Sequence, residues 1–250
     1  MSNSRIVRFG CFSIGLLLLS STALAQSVDR KEVEKIVREY ILQNPEIIGD
    51  ALTELQNRSE TAEAEARTAV VAAEADALLR SDDDVVLGNP DGDVTLVEFF
   101  DFNCGYCKRA APDVKALVAE DSGLRVVLKD FPILGPGSVE AAKVALSVKR
   151  LKGESAAQEF HARLIGVQGQ INVGRALALA EEMGLDRKRI EEEMRSEEIA
   201  AIISSNLSLA QRLGLTGTPS FIVGDQVIMG AVGKERNRRS QATALSGSGA

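Results

Sequence analysis

The feature that most constrains this sequence is a Cys-x-x-Cys motif, Cys104 to Cys107, at the junction of a predicted strand and a predicted helix. Residues 96–100 before the motif are apolar or aromatic except for Glu98, which is typical of a buried strand. From Lys108 onwards, apolar residues recur at helical spacing. Cys104 is therefore expected at the first turn of a helix, where free backbone N–H groups and the helix dipole stabilise a thiolate.

The spacing of the two cysteines suits reversible disulfide chemistry. Cys107 lies one helical turn after Cys104, so the first thiol can attack and the second can resolve a mixed disulfide. Half of a zinc site is an alternative, but zinc needs four ligands. The chain has three cysteines and one histidine, and Cys11 falls in a segment predicted to be removed. A structural disulfide across so short a loop would constrain little.

The N-terminus has the pattern of a secretory signal peptide. Arg5 and Arg8 form a basic region, residues 14–19 form a short apolar run, and residues 23–25 form an A-x-A cleavage site. The apolar run is too short to span a membrane. We therefore predict that residues 1–25 are removed and that the mature protein is periplasmic.

Export and charge together narrow the expected partners. The formal net charge of −7 gives no support for nucleic-acid binding. An exported protein whose mature cysteines both belong to one motif is expected to act on other proteins with that pair. The expected partners are exported cysteine-containing proteins and a membrane protein that resets the redox state. No bound cofactor and no metal are expected.

Residues 26–80 are predicted to form an N-terminal helical arm. An apolar stripe at residues 33–41 marks the first helix, and Pro45 suits the start of a second helix. The second helix, predicted at 46–80, carries a weak heptad seam of mostly alanine. Two interpretations stay open for 28–80: a homo-oligomerisation segment or a solvated spacer.

The remaining pattern predicts an α/β domain over residues 85–232, with an inserted helical block. Strands are predicted at 85–87, 94–100 and 124–129, helices at about 138–213, and a hairpin at 221–229. Residues 233–250 form a polar tail without an apolar stripe, for which a disordered segment and an altered reading frame both stay open.

These features together resemble the DsbA-like branch of the thioredoxin superfamily. The resemblance spans residues 85–230 and is carried by FFDFNCGYCK, by LKDFPILGPGS, by the helical insertion and by TGTPSFIVG. The helical arm is similar to that of the trimeric copper-sensitivity-suppressor (ScsC) members. The resemblance implies a thioredoxin fold with an inserted helical domain, preceded by an N-terminal helical arm, and it favours a trimer.

The resemblance also assigns roles within the motif. Cys104 would be the attacking thiolate and Cys107 the buried resolving thiol. Gly105 and Tyr106 would be the dipeptide that tunes the pKa of Cys104. Glu98 would be a buried acid that moves a proton to and from Cys107, whereas an exposed edge carboxylate is the alternative.

Four residues outside the motif carry further expectations. Pro219 would be a cis-proline facing the dithiol, and Thr218 would offer its backbone to an extended client. Two interpretations stay open for Lys129: it pairs with Glu98 from the adjacent strand, or it is a solvated lysine at a strand end. His161 is expected at the surface of the helical insertion.

The dipeptide departs from the strong oxidases of the family. Tyr106 and Thr218 stand where those oxidases carry histidine and valine, so Cys104 should be less acidic and the disulfide less oxidising. The favoured function is a periplasmic thiol-disulfide oxidoreductase that acts on exported proteins and is isomerase- or reductase-like. The alternative is an oligomer that holds clients or Cu(I) on the same dithiol without turnover.

Overall fold

The computed structural model describes residues 29–231 and 233. The predicted signal peptide, residues 1–25, lies outside this range, and so does the predicted polar tail apart from residue 233. In the described part of the chain, every helix is too short or too polar to cross a bilayer.

Five strands of the described chain form one mixed sheet. They are β1 (Val85–Gly88), β2 (Val94–Phe100), β3 (Leu124–Asp130), β4 (Ser220–Val223) and β5 (Gln226–Met229). Their order across the sheet is β1-β3-β2-β4-β5, with β2 and β3 parallel and the other neighbours antiparallel. The central strand β2 is almost wholly buried, which explains its continuous apolar sequence.

In chain order, helices come before the first strand of the sheet and between its later strands. They are α1 (Arg30–Gln43), α2 (Glu46–Ala73), α3 (Ala75–Leu79), α4 (Gly105–Glu120), α5 (Pro136–Lys152), α6 (Glu154–Ile165), α7 (Val173–Glu182), α8 (Arg187–Glu193) and α9 (Glu197–Arg212). Helix α4 follows β2 after a short turn, and α5 to α9 lie between β3 and β4, where the sequence predicts a helical insertion.

Side chains of β2 and β3 alternate between two apolar cores, one on each face of the sheet. Leu96 and Phe100 pack on the first face with residues of α4, α5, α6 and α7. Val97 and Phe99 pack on the second face with residues of α2, α3 and α9. The first face carries Glu98 and the motif helix, so it is the face that positions the dithiol.

The chain divides between residues 57 and 58 into two compact units. The first unit holds α1 and the start of α2, and the second holds the rest of α2, the sheet and α3 to α9. Among the described residues of the first unit, nine large apolar side chains are exposed, namely Val33, Ile36, Val37, Tyr40, Leu42, Ile47, Ile48, Leu52 and Leu55.

The second predicted helix does not run unbroken to Arg80. Helix α2 ends just before Glu74, and the short α3 follows. The break lets Leu78 reach the core and lets Glu74 accept two hydrogen bonds from Arg212, at 2.5 and 3.0 Å. Residues 58–80, which the sequence assigns to the arm, therefore lie in the compact unit that contains the sheet.

Both interpretations of Lys129 are wrong, since it neither pairs with Glu98 nor is solvated, being only 1% exposed. The parallel register places Glu98 beside Leu128, so Lys129, the next residue, projects to the other face of the sheet. There the buried ammonium of Lys129 donates to the Asp84 carboxylate and to the Ala77 carbonyl, each at 2.5 Å. Since sequence spacing does not reveal strand register, the partner of this lysine was not predictable.

Candidate active site

The dithiol lies at the N-terminus of α4. Cys104 is the N-cap residue, with extended backbone angles, and its sulfur accepts a hydrogen bond from the backbone N–H of Cys107 at 3.3 Å. Both cysteines are reduced, and the side chain of Cys107 is only 1% exposed. The first turn of α4 thus directs its free backbone donors at the first sulfur, as the sequence predicts.

The two thiols have opposite pKa shifts. A hydrogen bond from the Cys107 thiol, then one from the Thr218 side chain and the backbone N–H groups of Cys107 and Tyr106, lower the pKa of Cys104 to about 5. Burial opposes this shift. The hydrogen bond to Cys104 and burial raise the pKa of Cys107 far above its usual range. At neutral pH the pair therefore consists of one thiolate and one thiol.

The loop before β4 lies against Cys104. The Thr218–Pro219 peptide bond is cis, as predicted, and the carbonyl oxygen of Thr218 lies 3.1 Å from the sulfur of Cys104. Thr218, Pro219 and Tyr106 line a shallow depression of about 230 Å³ beside the dithiol. The ring of Tyr106 is 60% exposed and carries the guanidinium of Arg109 at 4.2 Å from its centroid.

Glu98 lies behind the dithiol and is only 4% exposed, so the alternative of an exposed edge carboxylate is wrong. It lines a cavity of about 790 Å³ together with Cys107 and residues of α4 and α6. Burial and the negative charge on Cys104 raise the pKa of Glu98 to about 8. The carboxyl is therefore mostly protonated at neutral pH, on the same cavity as the resolving thiol.

His161 is not at the surface, contrary to expectation. It is only 8% exposed, and its ring packs against Phe100 at 4.7 Å and Phe102 at 5.5 Å between centroids. Helix α6 turns one side toward the sheet, and His161 lies on that side with its neighbour Phe160. Burial lowers the pKa of His161 to about 4, and its Nδ1 atom has no hydrogen-bond partner within the described residues.

Burial of His161 predicts an acid-sensitive fold. Between pH 6.5 and about 4 the unfolded chain binds a proton at this imidazole and the folded chain does not. The free energy of unfolding should therefore fall by about 3 kcal/mol over this range as the pH is lowered. The variant His161→Phe should remove this component, measured as the difference in urea midpoints between pH 7 and pH 4. Equal pH dependence in both proteins would contradict the prediction.

Three polar residues of the motif region were not singled out from the sequence. The Asp101 carboxylate accepts hydrogen bonds from the backbone N–H groups of Asn103, at 2.7 Å, and Leu134, at 3.0 Å. Asn103 and Lys108 flank the dithiol on either side and bind backbone groups of the helical insertion. For Asp101 and Asn103 the available signal was a short polar side chain in an otherwise apolar stretch.

Thr218 is expected to tune the attacking thiol through its hydroxyl group. Because the Thr218 side chain helps to lower the pKa of Cys104, Thr218→Val should raise that pKa and lengthen the lifetime of mixed disulfides. The measurements are thiolate absorbance against pH and single-turnover release of a client peptide. The matched control is Thr216→Val in the same loop, because Thr216 contacts Met229 instead. If both quantities stay at the wild-type value in Thr218→Val, the hydroxyl has no such role.

Comparison with known families agrees with this geometry. The DSBA-like thioredoxin domain matches residues 95–238, and the copper resistance protein ScsC N-terminal domain matches residues 29–62. These matches confirm the predicted resemblance to DsbA-like and ScsC proteins. They also confirm the predicted fold class, a thioredoxin fold with a helical insertion and an N-terminal helical region. Within the described residues, no group of three or more His, Cys, Asp or Glu side chains could hold a metal ion.

Solved structures resemble most of the chain. A thioredoxin-like oxidoreductase from Silicibacter pomeroyi DSS-3 is 40% identical, with a TM-score of 0.65, over 68% of this chain and 97% of that one. A linker-deletion mutant of Proteus mirabilis ScsC is 26% identical, with a TM-score of 0.68, over 90% of this chain and 99% of that one.

The curated relatives are much longer proteins. The Na(+)/H(+) antiporter NhaA 1 of Salinispora arenicola is 32% identical over 143 residues, which are 57% of this chain and 22% of that protein. The chain therefore spans about a fifth of the length of the curated relatives that it matches.

Proposed function

The chain belongs to the DsbA-like thioredoxin family, and we propose that it is a periplasmic thiol-disulfide oxidoreductase acting on exported proteins through Cys104 and Cys107. The observation that carries this proposal is the position of Cys104 as the N-cap of α4, where its sulfur accepts a hydrogen bond from the backbone N–H of Cys107 at 3.3 Å, with the Cys107 thiol buried next to it. The opposite pKa shifts of the two thiols agree with this geometry. A thiolate beside a buried thiol is the arrangement that thiol–disulfide exchange requires.

The proposed reaction begins with attack by the Cys104 thiolate on a client disulfide. One client sulfur becomes bonded to Cys104, and the other leaves as a thiolate. If a client thiolate then attacks this mixed disulfide, the client is isomerised and the dithiol is regenerated. If Cys107 attacks instead, a Cys104–Cys107 disulfide forms, and two electrons pass to the client, which leaves with both sulfurs reduced.

Glu98 is proposed to accept the proton that Cys107 must lose in the second route. The charge on Cys104 contributes to the raised pKa of Glu98. That charge disappears when Cys104 enters the mixed disulfide, so the carboxyl becomes more acidic at the step that needs a base. Both groups line the same cavity, which allows proton transfer between them directly or through water.

We propose that the arm forms a homo-oligomer, with a trimer favoured. The support is the match of the ScsC N-terminal domain to residues 29–62 and the row of exposed apolar side chains on α1 and α2. Several dithiols held around one misfolded client raise the effective thiol concentration, which favours isomerisation. The CGYC sequence with Thr218 before the cis-proline supports the same isomerase- or reductase-like assignment.

The proposal includes a periplasmic location, exported client proteins and a membrane redox partner. Export rests on the signal-peptide pattern of residues 1–25, and the clients are exported proteins with cysteines. A membrane redox partner would reset the dithiol between cycles. The proposed domain boundaries are 26–80 for the arm, of which residues 58–80 lie in the compact unit that contains the sheet, 85–232 for the catalytic domain and about 138–213 for the insertion.

Two assays test the proposed activity against client or Cu(I) binding without turnover. The mature protein should reduce insulin with dithiothreitol present and should restore activity to scrambled ribonuclease. A protein that binds scrambled ribonuclease stoichiometrically without restoring activity, and that leaves insulin oxidised, would contradict the oxidoreductase assignment. Because the chain has no tryptophan, the redox state of the dithiol is followed by thiol labelling.

A further inference from the structure

Residues 167–171, in the segment that joins α6 to α7, are held by hydrogen bonds from side chains to their backbone carbonyls. Each of the five consecutive carbonyls accepts a hydrogen bond from a side chain. The pairs are Lys108 with Val167 and Gly169, both at 2.8 Å, Arg175 with Gln168 and Gln170 at 2.9 and 2.8 Å, and Asn103 with Ile171 at 2.9 Å. We call residues 167–171 the carbonyl segment.

Asn103, directly before Cys104, ties the carbonyl segment to the motif. Its Oδ1 accepts from the backbone N–H of Ile171 at 2.6 Å, and its Nδ2 donates to the carbonyl of the same residue. A third hydrogen bond joins Nδ2 to the hydroxyl of Ser138 at 3.2 Å. One amide group thus fixes both backbone polar groups of a fully buried residue of the insertion.

Lys108 stands on the other side of the dithiol. It follows Cys104 by four residues, so the two side chains lie on the same face of α4. Its two carbonyl acceptors fix the position of the ammonium and remove much of the conformational freedom of the lysine side chain. Among the described residues Lys108 forms no salt bridge within 4.0 Å, and the carboxylate that acts on its charge is that of Asp101.

Three charged groups act on the ammonium of Lys108, namely Arg175, Asp101 and Cys104. Burial, and then the guanidinium of Arg175, lower the pKa of Lys108 overall, and the charges of Asp101 and Cys104 oppose this shift. Asp101 is occupied by two backbone N–H groups. The interaction between Lys108 and Cys104 is reciprocal, so the ammonium stabilises the thiolate as the thiolate stabilises the ammonium.

We propose that Lys108, held by the carbonyl segment, is the fixed positive charge that stabilises the Cys104 thiolate, and that Asn103 is the positioning residue for that segment. The inference rests on the proposed function and assigns part of its redox control to the helical insertion. The charge of Lys108 would add to the hydrogen bonds that already stabilise the Cys104 thiolate. Thiolate stabilisation favours the reduced dithiol, so the intact contact makes the disulfide more oxidising.

The experiment compares three variants of the mature protein. Lys108→Gln removes the charge but keeps a hydrogen-bond donor, Lys108→Arg keeps the charge, and Lys188→Gln removes an exposed charge on the distant helix α8. Lys108→Gln should raise the pKa of Cys104 by about one unit, a tenfold change in ionisation. The same tenfold change should make the reduction potential more negative by about 30 mV. Lys108→Arg and Lys188→Gln should differ from wild type by less than a third of these shifts.

A fourth variant, Asn103→Ala, separates the positioning of the lysine from its charge. Asn103→Ala keeps the lysine but releases the carbonyl segment, so the amide of Ile171 should exchange hydrogen faster and the pKa of Cys104 should rise part of the way. An unchanged Cys104 pKa and potential in Lys108→Gln would overturn the inference. Insulin reduction by wild type distinguishes this outcome from failure of the proposed function, because the titrations do not depend on client turnover.

Discussion

Replacement of Cys104 with serine is expected to reduce disulfide exchange to the uncatalysed rate, whereas replacement of Cys107 with serine is expected to trap the protein on its clients. Hydrogen bonds at the N-terminus of α4 lower the pKa of Cys104 to about 5, so we expect it to supply the attacking thiolate. Cys107 is buried and its pKa is raised, so we expect it to act only after a mixed disulfide has formed.

The measurement is the amount of client captured in the periplasm. Cells are quenched with acid, free thiols are alkylated, and mixed disulfides are resolved on non-reducing gels. Cys107→Ser should accumulate adducts that disappear on reduction, and Cys104→Ser should accumulate none above the level of the double variant. Equal trapping by the two single variants would show that the roles of the cysteines are not divided in this way.

Removal of residues 26–57 is expected to convert an oligomer into a monomer and to lower isomerase activity by at least about tenfold, because the dithiols are no longer held around one client. Insulin reduction per dithiol should stay within about twofold of the intact protein, since the sheet and α4 are retained. Light scattering gives the mass, and reactivation of scrambled ribonuclease gives the isomerase rate.

The end of this deletion is set by the fold. A deletion that extended to Arg80 would remove Leu78 from the core and the Ala77 carbonyl from the buried ammonium of Lys129. Loss of isomerase activity in that longer deletion could arise from unfolding. A matched control keeps the chain length and replaces Ile36 with glutamate on the exposed stripe. If the intact mature protein is already monomeric at micromolar concentration, the arm does not act through oligomerisation.

The sheet was predictable because its strands depend on local composition. The strands β1 to β5 lie within about one residue of the predicted ranges, since apolar runs bounded by turn residues identify buried strands without knowledge of the partners. The burial of Glu98 followed from the same argument. The cis bond before Pro219 followed from the family resemblance and not from local chemistry.

The contacts that were missed depend on distant parts of the chain. Neither the pairing of Lys129 with Glu98 nor a solvated Lys129 was right, because strand register decides which face a side chain occupies. His161 was placed at the surface because the orientation of α6 is set by packing against Phe100 and Phe102. Asn103 binds Ile171, which is 68 positions away, and no pattern near the motif indicates that partner.

The cavity behind Cys107 has a consequence for the timing of turnover. Its lining shares no residue with the depression formed by Tyr106, Thr218 and Pro219, where a client chain would lie. We therefore expect that a large client can cover the front of the dithiol while Glu98 exchanges protons with water from behind. On this arrangement no lid has to open between client arrival and proton release, and we expect sulfur chemistry and client departure to set the duration of each cycle.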